Sequence, residues 1–245
     1  MKQGIYSVKS NIKIATSVYK MELCGDTEGL TKSGQFINIK IDGMYLRRPI
    51  SVCDCESGVI TIIYKVVGKG TEVMSTMKEG TKLDILTDLG NGYDLSKAGD
   101  RPLLLGGGVG VPPLYLLAKK LIAEGKKVSV VLGFNTKDEV FYEDEFKALG
   151  ADVTVTTVDG SYGVKGFVTD AMSEINYTYF YTCGPEPMLK AIYKASKTGG
   201  QMSFEERMGC GFGACMGCSC KTITGYKRIC KDGPVLEKEE ILWEI

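Results

Sequence analysis

Residues 201–245 hold too few apolar positions to close a core of their own. They do carry four cysteines in a glycine-rich run, Cys210-x4-Cys215-x2-Cys218-x11-Cys230, around the string GCGFGACMGCSC. A segment this short needs a staple, and metal–thiolate bonds are one. Thiolates converge on a metal from one side only if the backbone bends freely, and Gly209, Gly211, Gly213 and Gly217 allow that bend. Three thiolates from one tight loop and a fourth from downstream make the arrangement that holds a [2Fe–2S] cluster. The candidate ligands are Cys210, Cys215, Cys218 and Cys230. A four-cysteine zinc site is the alternative. Zinc sites usually pair two CxxC knuckles, whereas here CxxxxC is followed by CxxC. Cys220 reads as a bystander thiol, with substitution for Cys218 as its alternative role.

Histidine is absent. That removes Ser–His and Cys–His nucleophilic systems and a Rieske centre, so a metal site must use Cys, Asp or Glu. Lys plus Arg equals Asp plus Glu at 30 each, which leaves no basic excess to grip a phosphate backbone and argues against nucleic acid. No apolar run approaches bilayer length, and the opening MKQGIYSVKSNIKIATS lacks a signal-peptide core. A cytoplasmic protein with no membrane contact is expected. In a reducing compartment nine cysteines read as ligands or free thiols rather than disulfides. Cys24, Cys53 and Cys55 read as inert buried thiols.

The first hundred residues carry short strand signals: Ile12–Thr16, Val18–Leu23, Gln35–Ile41, Val59–Val66 and Lys82–Thr87, with one helical stretch near Thr71–Met77. Such spacing predicts an antiparallel barrel. The pattern changes at Ala98-Gly99-Asp100. Strands at Leu103–Leu105, Lys127–Leu132, Val153–Val158 and Tyr177–Cys183 then alternate with helices near Val111–Ala123, Asp138–Leu149, Val168–Ile175 and Glu186–Lys197. This alternation predicts a doubly wound parallel sheet. The expected division is a barrel over 1–98, an α/β domain over 99–200 and a metal-bearing tail over 201–245. Within each there are candidate sites. Arg47-Arg48-Pro49-Ile50-Ser51 ends a barrel strand, and Ile63–Thr71 runs from a strand through glycines into a helix. An arginine beside such a helix start suits a diphosphate; a strand with solvated basic ends explains it equally. Leu103–Pro113, LLLGGGVGVPP, is a strand, a glycine turn and a proline-led helix start, although the full dinucleotide fingerprint is not met. Tyr181–Met188, YTCGPEPM, repeats the logic one strand later. Cys183 there has a buried strand-end thiol as its alternative, and Met188 packs near a ligand or in the helix core.

RPIS, IYKVVGKGT, LLLGGGVGVPPL, CGPEPM and the cysteine loop occur in that order across almost the whole chain. Together they resemble the ferredoxin–NADP reductase superfamily, and within it the electron-transfer subunits of class B dihydroorotate dehydrogenases. Ile50 stands where many superfamily members place a tyrosine on the flavin. The resemblance implies an N-terminal flavin-binding β-barrel, a nucleotide domain and a small C-terminal [2Fe–2S] domain. It implies FAD contacts from Arg48, Pro49, Ile50, Ser51, Ile63, Tyr64, Lys65, Gly70 and Thr71. It implies NAD contacts from Gly107, Gly108, Gly110, Cys183, Gly184 and Pro185, with Cys183 facing the nicotinamide and flavin. Asp138 and Glu139 favour NADH over NADPH. The loop Thr157–Ser161 is explained about as well by loop structure alone.

The activity implied is electron transfer between NAD+ and an FMN-containing catalytic subunit that oxidises dihydroorotate, in pyrimidine (UMP) biosynthesis. A heterotetramer with two of each subunit is expected. Electrons would pass from FMN through the cluster and FAD to NAD+. The alternatives are a related NAD(P)H–ferredoxin or sulfide oxidoreductase flavin subunit, and a zinc-stapled regulatory domain.

Overall fold

The computed structural model describes residues 1–243. Six antiparallel strands close a barrel: β1 (Lys2–Ala15), β2 (Val18–Cys24), β3 (Phe36–Ile39), β4 (Arg48–Glu56), β5 (Val59–Lys65) and β6 (Lys82–Leu89), in the order β1-β2-β5-β4-β3-β6. Alternate positions point inward. Tyr6, Val8, Met21, Leu23, Ile37, Ile39, Ile60, Ile62 and Ile85 fill the interior, as a period of two requires. The seven-residue helix α1 (Lys69–Ser75) follows β5. Strand β1 begins at Lys2, earlier than the Ile12–Thr16 expectation. Its outer face is solvated, with Ile5 exposed between buried Tyr6 and paired Gly4, so its first half lacks a strong apolar run.

The second sheet contains β7 (Pro102–Gly107), β8 (Ser129–Phe134), β9 (Asp152–Thr157), β10 (Val164–Lys165), β11 (Tyr179–Cys183), β12 (Gly200–Ser203) and, later in the chain, β15 (Val235–Glu237). Its order is β10-β9-β8-β7-β11-β12-β15, parallel except for β15, which runs antiparallel to β12. Leu103, Leu104 and Leu105 of β7 are fully buried, the continuous apolar run of a strand covered on both faces. Helices α2 (Pro112–Ala123) and α3 (Glu143–Ala148) cover one face through Leu114, Leu117, Leu121 and Phe146. Helices α4 (Val168–Met172) and α5 (Glu186–Ala195) cover the other through Met172, Leu189 and Ile192.

One expected helix is divided. Over Asp138–Leu149 the chain makes a 3-10 turn at Lys137–Glu139, then extends, and Tyr142 takes φ +68° before α3. Phe141 and Tyr142 are drawn into the core against Phe134 and Tyr115, so packing overrides local propensity. Residues 201–243 are built onto both larger units. Strands β12 and β15 extend the parallel sheet. The hairpin of β13 (Ser219–Thr222) and β14 (Gly225–Arg228) stands apart from it. Cys218, Ile229 and Cys230 are buried in one cluster with Phe36, Leu86 and Leu89 of the barrel. Among the described residues no helix is long and apolar enough to cross a membrane.

Candidate functional site

The strand order reverses between β7 and β11, because the chain runs outward from β7 to β10 and returns on the other side. Ligands in open α/β sheets bind at the carboxyl ends of strands at such a point. A cleft of ≈ 600 Å³ lies there, within the usual range for small-molecule sites. Gly107, Gly108 and Gly110 line it from the β7 turn, and Gly184 and Pro185 from the β11 turn. Lys65 and Val18 line it from the barrel side. The five sequence-expected nucleotide residues on the two turns are thus brought together.

Two glycines there are closely approached, and at Gly110 the neighbour is main chain that cannot give way. A Cβ on Gly110 would stand 2.2 Å from the Cys183 carbonyl oxygen, and one on Gly107 would stand 2.5 Å from the Met188 sulfur. The turns interlock through main chain. The Cys183 side chain does not line the cleft. It is 2% exposed, and burial, with Glu205 nearby, pushes its thiol far above the ordinary range. A neutral buried thiol is no nucleophile. Met188 packs against Gly107 and Gly184 and lines the cleft.

Lys65 Nζ meets Glu139 Oε1 at 3.1 Å, linking β5 to the segment after β8. Burial pushes the Glu139 carboxyl up, but hydrogen bonds from the Asn135 N–H, Lys65 and the Asn135 amide outweigh it and hold it below the usual range. Sequence reasoning missed Glu205, which leaves β12 and also lines the cleft. Glu205 is exposed at the rim of the cleft, and the protein around its carboxylate disfavours the charged form and raises its pKa. Nothing in the sequence marked it, because the alternating pattern ends at Gly199-Gly200 and β12 was not expected.

The expected flavin residues divide by face. Arg48, Pro49, Ile50 and Ser51 are half-buried on β4. A Cβ on Gly70 would fall 2.3 Å from Arg48 Nε, so the guanidinium lies directly on the main chain that opens α1. This is a cradle of charge and backbone amides that any side chain at Gly70 would fill. The Thr71 hydroxyl accepts from the N–H groups of Val67 (2.9 Å) and Gly68 (3.2 Å) and donates to the Gly68 carbonyl (2.9 Å), which fixes the turn. Ile63 and Tyr64 point into packed cores. The Tyr64 hydroxyl donates to Asn11 Oδ1 at 3.0 Å, and its ring stacks on Tyr19. Of the three β5 residues, Lys65 alone reaches the cleft.

The four tail cysteines lie as two pairs. Cys210 and Cys215 are hydrogen-bonding neighbours, as are Cys218 and Cys230. Among the described residues no three Cys, Asp or Glu side chains converge on a single ion position. Four cysteines from one loop and its downstream return would hold a [2Fe–2S] cluster, a donor set of thiolates alone. Main-chain N–H groups of Ala214 and Cys215 aim at Cys210 Sγ, at 3.2 and 3.5 Å, and the Cys230 N–H aims at Cys218 Sγ at 3.4 Å. Partial burial pushes the Cys210 thiol up, but the N–H groups of Phe212, Cys215 and Ala214 and the Cys215 side chain outweigh it and bring it down to about 6. At Cys210 the loop favours thiolate, whereas burial and the neighbouring Cys218 push the Cys230 thiol up to about 12. Cys220 lies off these pairs on β13 and is half-buried.

Residues 205–242 match the iron–sulfur cluster binding domain of dihydroorotate dehydrogenase B, and residues 104–194 match the oxidoreductase NAD-binding domain. A protein of Fusobacterium nucleatum, named dihydroorotate dehydrogenase B (NAD(+)), electron transfer subunit, is 47% identical over 94% of this chain and 94% of its own length. The chain belongs to this electron-transfer subunit family. A Bacillus pumilus member of the same name is 45% identical over 98% of both chains. An NADH-dependent reduced ferredoxin-NADP oxidoreductase structure, from work on flavin-based electron bifurcation, superposes with a TM-score of 0.90. It is 32% identical over 98% of this chain and 90% of that one. A ferredoxin NADP+ reductase from Neisseria gonorrhoeae with bound FAD and NADP shares the fold, with a TM-score of 0.69 and 14% identity over 80% of this chain and 90% of that one.

Proposed function

We propose that this chain carries electrons between a dihydroorotate-oxidising catalytic subunit and NAD+ as the electron-transfer subunit of an NAD-dependent dihydroorotate dehydrogenase, in pyrimidine biosynthesis. The observation that carries this reading is the four-thiol loop seated on the barrel beside the flavin strip, in a chain that matches the subunit family from end to end. The cofactors are FAD and a [2Fe–2S] cluster, with NAD(H) as substrate. When bound, FAD exchanges hydride with the dinucleotide and single electrons with the cluster, chemistry that side chains do not supply.

The protein's part is to hold and align. The glycine turns at Gly107–Gly110 and Gly184–Pro185 admit the dinucleotide close to the main chain. Lys65 stands between that cleft and the barrel. Arg48 and the amides of Gly70 and Thr71 take the FAD diphosphate, while Pro49, Ile50 and Ser51 line the flavin ring and ribityl chain. Ile63 and Tyr64 support that surface from behind. Cys183 contributes the fit of its main chain against Gly110. Cys210, Cys215, Cys218 and Cys230 hold the cluster. No general base for dihydroorotate is needed here, since that site belongs to the partner.

The partner reading extends to an FMN-containing catalytic subunit, two of each chain in the complex, in the cytoplasm. Cys215 is exposed, and Phe212 (42%) and Met216 (53%) are exposed beside it in the same loop. Apolar groups left in water beside a ligand thiol support docking of the partner over this loop. The domain limits 1–98, 99–200 and 201–245 are proposed as the three cofactor-holding units. A subunit of a ferredoxin-NADP oxidoreductase is the second reading, favoured by the 0.90 TM-score. Affinity purification from the native organism separates the two. Co-purification of an FMN protein that forms orotate is expected, and a large iron–sulfur subunit in its place would support the second reading.

Arg48→Ala is expected to lower FAD occupancy by weakening charge-assisted contact to a diphosphate, with a loss of about 1.5–3 kcal/mol in binding. Flavin released on gel filtration checks this. Full retention would remove Arg48 from the site.

A further inference from the structure

Asn38 is an unusual residue for its place. It sits mid-strand on β3, where asparagine has little propensity, and it is 1% exposed. Its cross-strand partner on β4 is Pro49 of the flavin strip. On its other side it meets the cysteine loop. Its Nδ2 donates to the Cys210 carbonyl at 3.4 Å, and a Cβ on Gly211 would stand 2.3 Å from that same nitrogen. Gly211 holds φ +79°, so the loop adopts a left-handed turn to pass over the amide. The Asn38 Oδ1 is buried with no partner. A buried amide oxygen left unpaired is retained at a cost to stability. A leucine would suit a strand position packed beside Phe36 and Leu86 better on packing grounds alone.

We propose that Asn38 is a positioning residue for electron transfer, setting how closely the Cys210 segment seats on the flavin strip. The inference rests on the reading of Cys210 as a cluster ligand and Pro49 as a flavin neighbour. Asn38 touches neither cofactor in this role. It acts through the Cys210 main chain on one side and through β4 on the other, and the lean of the amide toward Cys210 fixes which end of the side chain faces the loop. A partner that orients a metal ligand in this way is worth about 10- to 100-fold in affinity or activity when it is lost.

The test uses the full chain with FAD and cluster loaded, in Asn38→Ala and Asn38→Leu forms. Asn38→Leu fills the space with a side chain that needs no partner and removes the donor to the Cys210 carbonyl, so it stands in if the alanine form fails to fold. Three readouts are taken: dye reduction by NADH, the rate at which NADH bleaches the cluster absorbance, and the electron paramagnetic resonance spectrum of the reduced cluster. The expected result is unchanged dye reduction, cluster bleaching slowed about tenfold and a shifted resonance spectrum. Two results overturn the proposal: normal bleaching with an unshifted spectrum, or dye reduction falling in parallel with bleaching. Failure of the underlying reading looks different, because the unsubstituted protein would then show no cluster signal at all.

Discussion

Cys215→Ser is expected to abolish the cluster while leaving NADH-dependent dye reduction at the level of the unsubstituted protein. Cys215 is the most accessible of the four candidate thiols, and its sulfur approaches Gly209 and Gly217 within 3.2 and 3.5 Å of where their side chains would start. Serine fits that space, so the loop loses a soft thiolate without a steric penalty. Iron–sulfur clusters require thiolate or another strong donor at each position, and iron content should fall by about tenfold or more. The cleft and the Arg48–Gly70 cradle lie on other elements, and Cys215 does not line the cleft. The two activities therefore separate in one variant. Iron and acid-labile sulfide surviving at full level would remove Cys215 from the ligand set. Dye reduction lost together with the iron would show that the tail holds the other two units in shape rather than extending their electron path.

Gly110→Ala should give the reverse separation. The added methyl meets the Cys183 carbonyl oxygen at 2.2 Å and the Gly184 nitrogen at 2.6 Å. Both are main-chain atoms of the neighbouring strand end, and neither can rotate away. The two turns must part, at a stability cost of about 1–3 kcal/mol typical of overpacking. Both turns line the cleft proposed for the dinucleotide, so a shift of about 1 Å there is expected to lower kcat/KM for NADH on the order of 100-fold. FAD content and iron content should stay near normal. Gly108→Ala is the companion. Gly108 has φ +51° and open space around it, so the change carries only dihedral strain of about 1–2 kcal/mol. Its defect should be the smaller of the two. Equal kinetics in both variants would mean that the interlock of the turns does not shape the cleft.

The order of the architecture was legible because the periodicities differ. Period-two strands before Ala98 and βα alternation after it are visible to the eye, and the β7 leucines announce a strand buried on both faces. Spacing in a glycine-rich loop picked out the four candidate cysteines, and the structure places them as two neighbouring pairs. What escaped the sequence depended on contacts between distant segments. The helix expected at Asp138–Leu149 breaks because Phe141 and Tyr142 pack inward. Cys183 sits at the expected strand end, but its side chain turns toward Ser203 and Glu205 rather than into the cleft. Tyr64 belongs to the barrel core and not to its surface. Asn38 and Glu205 carried no motif. Asn38 acquires meaning only when β3 comes to lie under Cys210, a separation of 172 residues in the chain.

The central claim is that the tail thiols hold a two-iron cluster electronically connected to a flavin. Anaerobic titration of the oxygen-protected protein with NADH tests it most directly, followed by iron and sulfide analysis and low-temperature electron paramagnetic resonance of the same sample. The expected result is about two irons and two acid-labile sulfides per chain, flavin bleaching, and a resonance from the reduced cluster that grows with added NADH. Zinc in place of iron, or flavin bleaching with no resonance from an iron-loaded sample, would contradict it.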